Sequence, residues 1–217
     1  EAYYDHQPDG FPIDGELTVS SVEQRDWVAE SQAALPAIRI GRLHIRGGFD
    51  QAPPLPYIDL VVEAGQAFGT GRHESTSGCL YLLQNILRTR SVKTVLDVGT
   101  GAGILGIAAA RLAPVSVIGS DIDPIAVKVA VENAALNKVP HATRWVTAPG
   151  TRHPLISQNG PYDLVFANIL KAPLVGLAPD MGTNIATKGY AILSGILNEQ
   201  ADEVVAAYAD NGFSVHT

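Results

Sequence analysis

At 217 residues with 46% hydrophobic side chains, the chain is long enough for one α/β domain with an appendage and a sizeable core. Its formal net charge of −7 argues against a broad nucleic-acid footprint, and no apolar run reaches the length of a membrane span. A lone Cys79 excludes an intramolecular disulfide; it falls on a predicted helix as a small packing residue, in keeping with a reducing cytoplasm.

Residues 1 to about 22 carry Pro, Gly and Asp without periodicity and show no secretory signal, so they are expected to be a linker or the trimmed tail of something longer. Asp26, Trp27 and Val28 open a short helical stretch that ends before Pro36. Ala37 to Ile40 and Leu43 to Ile45, on either side of Gly41-Arg42, predict a small hairpin. The segment QAPPLP (51–56) is a stiff connector, which divides the chain into an extension over 1–55 and a main domain over 56–217. Tyr57 to Val62 reads as a strand leading into EAGQAFGTGRHEST (63–76). A helix follows, with Leu80, Leu83 and Leu87 spaced three and four apart and Leu82 and Ile86 widening its apolar face. Thr76 belongs to its first turn, where a hydroxyl either caps the helix or reaches a ligand in the neighbouring cleft.

The chain is organised around Thr94 to Gly103, TVLDVGTGAG. Thr94-Val95-Leu96 suits a buried parallel strand; Asp97 follows, then glycines at 99, 101 and 103, then apolar residues at helical spacing from Ile104 to Leu112. A strand, a tight glycine turn and a helix let a ligand approach the backbone and meet N–H groups at the helix start. A dinucleotide fingerprint puts its third glycine three residues after the second. Here Ile104 stands at that place, which disfavours a nicotinamide dehydrogenase. The next strand, Val115 to Gly119, ends at Asp121, 22 residues after Gly99, where a carboxylate can accept hydrogen bonds from both hydroxyls of a ribose. This arrangement resembles the cofactor site of S-adenosylmethionine (SAM) methyltransferases.

Asp123-Pro124 is a helix start with Asp as N-cap and Pro at the first helical position, and the helix runs to about Leu136. Thr143 to Thr147 is a strand; 149–161, rich in Pro and Gly, reads mostly as loop with one turn of helix. Tyr162 to Ala167 is the next strand and ends at Asn168-Ile169-Leu170. A helix interrupted by Pro173, Pro179 and Gly182 is expected after it, then a strand over Tyr190 to Leu193, a helix from Asn198 to Asn211 closed by Gly212, and a sixth strand beginning at Phe213. Strands alternating with helices predict an α/β fold with a doubly wound, mostly parallel sheet.

Several stretches together resemble one family, the methyltransferases of ribosomal protein L-eleven (the PrmA type). They are GQAFGTGRHEST, LDVGTGAGILGIAA, GSDIDP, FANIL and LSGIL, in the family's order over roughly residues 24 to 208. Glu74, Ser75 and Lys171 depart from the family pattern. The resemblance implies a class I SAM-dependent, Rossmann-like fold, with Thr76, Gly99, Asp121 and Asn168 contacting SAM and S-adenosylhomocysteine as product. Gly101, Ile122 and Phe68 join them as expected cofactor contacts. It implies methylation of lysine side chains and an N-terminal amine on a ribosomal protein in the cytoplasm. It also implies a small N-terminal recognition domain and a final antiparallel strand, neither of which has a counterpart here, so the chain is expected to be C-terminally incomplete.

Methyl transfer to an amine demands positioning, exclusion of water and an aligned lone pair. The side-chain carbonyl of Asn168, with the backbone carbonyl of Ile169 or Leu170, is placed to accept hydrogen bonds from the amine; the plainer alternative is a turn-forming Asn after a strand. His73 is a candidate proton acceptor or a structural hydrogen-bonder, and Phe68 covers the cofactor or packs the loop. His44, His141, His153 and His216 show no metal-ligand spacing, so no metal is expected. Alternatives are a SAM-dependent N-methyltransferase of a small molecule or base, and a SAM-binding module inactive without its recognition domain. No nucleic-acid or membrane partner is expected.

Overall fold

A computed structural model of the chain describes residues 37–48, 50–63 and 74–216. The short helix expected after Asp26 and the loop residues 64–73 lie outside the described residues. Two sheets carry the architecture. In the smaller, β1 (Ile38–Ile40) and β2 (Leu43–Arg46) form the expected antiparallel hairpin, and β3 (Ile58–Val61) pairs in parallel with β2. The three-stranded sheet therefore draws on both sides of residue 56. Arg46 and Asp59 fasten β2 to β3 through a forked pair, Nε to Oδ1 at 2.9 Å and Nη2 to Oδ2 at 2.8 Å.

The larger sheet has five parallel strands in the order β6-β5-β4-β7-β8. Its elements are α1 (Glu74–Thr89), β4 (Thr94–Val98), α2 (Ile104–Leu112), β5 (Ser116–Asp121), α3 (Pro124–Leu136), β6 (Thr143–Thr147), α4 (Pro154–Asn159), β7 (Tyr162–Asn168), α5 (Lys171–Asn184), β8 (Ile185–Ser194) and α6 (Ala201–Asp210). The chain winds outward from β4 to β6, then returns to the other side of β4 for β7 and β8. That reversal opens a crevice at the carboxyl ends of β4 and β7.

Alternation along each strand feeds two cores. Val95, Val117, Leu164 and Phe166 face one side, packed with Leu80 and Leu83 of α1, Leu105 and Ala108 of α2, and Leu43 and Leu60 of the small sheet. Leu96, Ile118 and Val165 face the other, against Ile156 of α4, Leu174 and Met181 of α5, and Val204 and Tyr208 of α6. With both faces covered, the central strands carry apolar side chains on both sides, as in Val95-Leu96 and Leu164-Val165-Phe166. Cys79 is buried in the first core, and burial pushes its thiol up to about 11, so it acts as a packing residue. Leu82, expected on the apolar face of α1, is 48% exposed.

Three elements differ from expectation. Helix α5 is continuous through Pro179. Pro173 sits in its first turn, where no N–H is lost, and the burial of Leu174, Leu177, Ala178 and Met181 offsets the break at Pro179. Strand β8 begins at Ile185 rather than near Tyr190, because a register shift opposite Tyr162–Leu164 absorbs the Thr187-Lys188-Gly189 segment. Phe213 to His216 forms no strand. Instead Phe213 turns back edge-on to Tyr208, with ring centroids 5.3 Å apart. Among the described residues no antiparallel strand flanks β8.

Trp145 on β6 lies across the middle of β5. A Cβ at Gly119 would collide with the Trp145 ring, so the absent side chain is what lets the indole close this edge of the sheet. Gly119→Ala is expected to destabilise the fold by about 1–3 kcal/mol through overpacking, read as a lower urea midpoint with unchanged slope.

Candidate active site

A cleft of about 800 Å³ opens at the carboxyl ends of the central strands. Its floor is the glycine turn. The N–H groups of Gly99 and Thr100 both donate to Ser120 O, at 2.8 and 3.0 Å, so the turn is laid against the end of β5. Gly99 takes φ 68° and lies under the Ile169 side chain, where a Cβ would collide with it.

Asp97 holds the turn from below. Its Oδ2 accepts the Thr100 hydroxyl at 2.7 Å and the Gly106 N–H at 3.0 Å, tying strand, turn and helix α2 to one buried oxygen. Burial first of all, opposed by those two hydrogen bonds, lifts its carboxyl from 3.8 to about 6.

Asp121 stands on the cleft wall with both oxygens fixed. Oδ2 accepts the Gly101 N–H at 2.9 Å and Oδ1 the Asp123 N–H at 3.0 Å. The donors expected at the turn are thus partly taken up internally, Gly101 by Asp121 and Gly106 by Asp97. The effect is to aim the Asp121 carboxylate into the cleft with lone pairs remaining. Ile122, next to it, lines the cleft and is 74% exposed, a flat apolar platform beside the acid. Asp123 then caps α3 by accepting the Ile125 N–H at 2.8 Å.

At the other end of the cleft the structure joins two residues 92 positions apart. Asn168 Nδ2 donates to Thr76 Oγ1 at 3.3 Å, and Thr76 is buried in the first turn of α1. Its amide held in this way, Asn168 presents Oδ1 as an acceptor. The LSGIL stretch acquires a reason here. Ile169 donates its N–H to Ser194 O at 3.1 Å, and Gly195, at φ 86°, brings its backbone so close that a Cβ would stand 2.6 Å from Ile169 O. Asp121 and Asn168 lie on strands two spacings apart, roughly 10 Å across the sheet.

Of the expected site residues, Thr76, Gly99, Gly101, Asp121, Ile122 and Asn168 all line this one cleft. Phe68 and His73 lie outside the described residues. Sequence reasoning missed the opposite wall, formed by Pro149, Gly150 and Arg152 after β6 and by Pro173, Leu177 and Asp180 on α5. Pro173, Leu177 and Asp180 recur at helical spacing, a signal hidden by reading α5 as broken. Arg152 Nε, 3.5 Å from Asp180 Oδ2, carries no signal in the sequence. His153 caps α4, its Nδ1 accepting the Leu155 N–H at 3.1 Å. Among the described residues no His, Cys, Asp and Glu group assembles that would hold a metal ion, and no helix is long and apolar enough to cross a membrane.

The lining could hold a nucleoside: Asp121 offers carboxylate acceptors for a pair of hydroxyls, and Ile122, Pro149 and Leu177 offer apolar surface for a base.

Asp97 makes the cleft's support pH-dependent. Between pH 3.8 and 6 the folded protein keeps a proton that the unfolded chain has released, so stability falls as pH rises through this window. Above it the ionised carboxylate costs on the order of 3 kcal/mol. Asp97→Asn keeps an acceptor for Thr100 and Gly106 without that cost. Its urea midpoint is expected to gain on the wild type between pH 4 and 6.5, and a constant difference would contradict the burial argument.

Comparison with known proteins gives the family of the chain. The family described as "Ribosomal protein L11 methyltransferase (PrmA)" matches residues 5–217. The chain is 46% identical over 189 residues to the ribosomal protein L11 methyltransferase of Mesorhizobium japonicum, covering 87% of this chain and 65% of that relative. It is 48% identical over 184 residues to that of Rhizobium meliloti, covering 84% and 63%. The chain therefore spans just under two thirds of the length of these curated relatives. The crystal structure of a ribosomal protein L11 methylase from Lactobacillus delbrueckii superposes with a TM-score of 0.73 at 31% identity, over 83% of this chain and 91% of that one. Fold, motifs and site geometry converge, and the chain belongs to the ribosomal protein L11 methyltransferase (PrmA) family.

Proposed function

We propose that the chain is the catalytic part of a SAM-dependent protein methyltransferase that modifies amino groups of ribosomal protein L11, its lysine side chains and N-terminal amine. The observation that carries the reading is a single cleft holding a backbone-clamped Asp121 at one end and the Thr76–Asn168 pair at the other. Family membership supports the substrate class. A ribosomal substrate implies a cytoplasmic site of action.

SAM, when bound, supplies an electrophilic methyl group; the chain supplies place and orientation. Asp121 would hold the ribose hydroxyls by charge-assisted hydrogen bonds. Ile122 and Leu177, which line the cleft, would keep water from the base. An incoming lysine amine, with an ordinary pKa near ~10.4, must arrive neutral. Asn168 Oδ1 accepts one of its N–H groups and turns the lone pair inward, while Thr76 fixes the Asn168 side chain. Asn168 accepts a hydrogen bond without taking the proton, so its contribution is alignment rather than general-base catalysis.

Two substitutions separate these tasks. Asp121→Ala removes two charge-assisted contacts of about 1.5–3 kcal/mol each, so SAM affinity is expected to fall at least ~tenfold by calorimetry with the fold intact. Asn168→Ala is expected to lower turnover at least ~tenfold more than it weakens SAM, measured by transfer of radiolabelled methyl groups to L11. Equal losses in binding and turnover would reduce Asn168 to a cofactor contact. SAM binding without any transfer to L11 would leave the cofactor reading and favour a SAM-binding module inactive without its recognition domain.

A further inference from the structure

Helix α3 turns Ala130, Asn133 and Asn137 to the body of the protein, residues three and four apart on one face. Ala130 fits against Gly103, where a Cβ would come 3.0 Å from Ala130 Cβ. One turn further on, the fully buried Asn133 carboxamide makes three hydrogen bonds. Its Oδ1 accepts the Glu63 N–H at 3.0 Å; its Nδ2 donates to Glu63 O at 2.9 Å and to Ala102 O at 2.9 Å. Asn137 repeats two of these three on Val61, accepting its N–H at 3.0 Å and donating to its O at 2.6 Å.

The match is geometric. Residues 61 and 63 point their backbone groups the same way, about 6.6 Å apart in an extended chain, and one turn of α3 advances about 5.4 Å. Two carboxamides at i and i+4 therefore pair with the exit of β3 as a neighbouring strand would. The Asn137 amide also donates back to Asn133 O at 2.8 Å, whereas Asn133 reaches across to the glycine turn at Ala102. That residue lies between Gly101, which lines the cleft and donates to Asp121, and Gly103, which opens α2.

We propose that Asn133 is a positioning residue for the cofactor. Its carboxamide holds the far side of the glycine turn while Gly101 offers the near side to Asp121. It fastens to that turn the chain that has left β3, at Glu63. Asn133 does not line the cleft and acts through Ala102. The proposal rests on the reading that the turn holds SAM. Asn137 serves as the internal control, since it grips the same segment with no bond to the turn.

The test is calorimetric titration of SAM into the wild type, Asn133→Ala and Asn137→Ala, with a thermal melt of each. Both variants are expected to melt lower, because each strips partners from part-buried backbone groups at the exit of β3. SAM affinity is expected to fall at least ~tenfold in Asn133→Ala and less than ~threefold in Asn137→Ala. Equal losses in the two variants, or none in either, would overturn the role of Asn133 and leave the cofactor reading standing. A wild type that binds no SAM would overturn both. Hydrogen exchange in the wild type decides the matter even where Asn133→Ala fails to fold. SAM is expected to slow exchange at the Glu63 amide at least ~threefold and at Val61 less, and unchanged exchange at Glu63 would refute the coupling.

Discussion

The site depends on a carboxylate that never touches its contents. Asp97 is fully buried at the end of β4, and through one oxygen it joins the Thr100 hydroxyl to the Gly106 amide. Those two bonds set the curvature of the turn between β4 and α2. The position of Gly101 follows from that curvature, and the direction of the Asp121 carboxylate follows from Gly101. A buried acid costs stability near neutral pH, but a buried apolar residue there would leave Thr100 and Gly106 without a partner. The molecule bears that cost where shape matters most, as functional sites tend to.

The other end of the cleft is organised differently, by backbone packed on backbone. Gly195 lets the chain leaving β8 lie on Ile169, and Ile169 in turn covers Gly99. Strands β4, β7 and β8 are thereby layered at their ends by one isoleucine between two glycines. Asn168 precedes that isoleucine, and its side chain is steered by Thr76 from a helix on the far side of the sequence. The acid at one end is fixed by main-chain donors, the amide at the other by a hydroxyl, and neither relies on a charged partner.

Much of this was legible in the sequence. The glycine turn, the acid ending the next strand, the Asp123-Pro124 helix start and the Asn closing β7 each obey local rules that a short window reveals. The missed features need three dimensions. Helix α5 seemed broken because proline propensity is local, whereas the burial of Leu174 and Met181 that sustains it comes from α6 and the sheet. The α5 wall of the cleft was lost with it. The register shift in β8 is set by Tyr162 on the neighbouring strand, which the run from Ile185 to Ser194 does not record. Asn133 and Asn137 look like ordinary polar positions of a helix, and nothing near them in the chain shows that their partners lie 70 and 76 residues away.

Those separations bear on the order in which the molecule is assembled. The bond from Gly106 to Asp97 closes a loop of 9 residues, while the bond from Glu63 to Asn133 closes one of 70. Loop-closure entropy makes the second dearer by about 1.8 kcal/mol before either is formed. The turn closes over a short span where β4 and α2 meet, whereas the bonds from α3 to the exit of β3 close over a far longer one. During synthesis the residues of β3 emerge before the helix that grips them, and they wait without their partner until more than seventy further residues have followed.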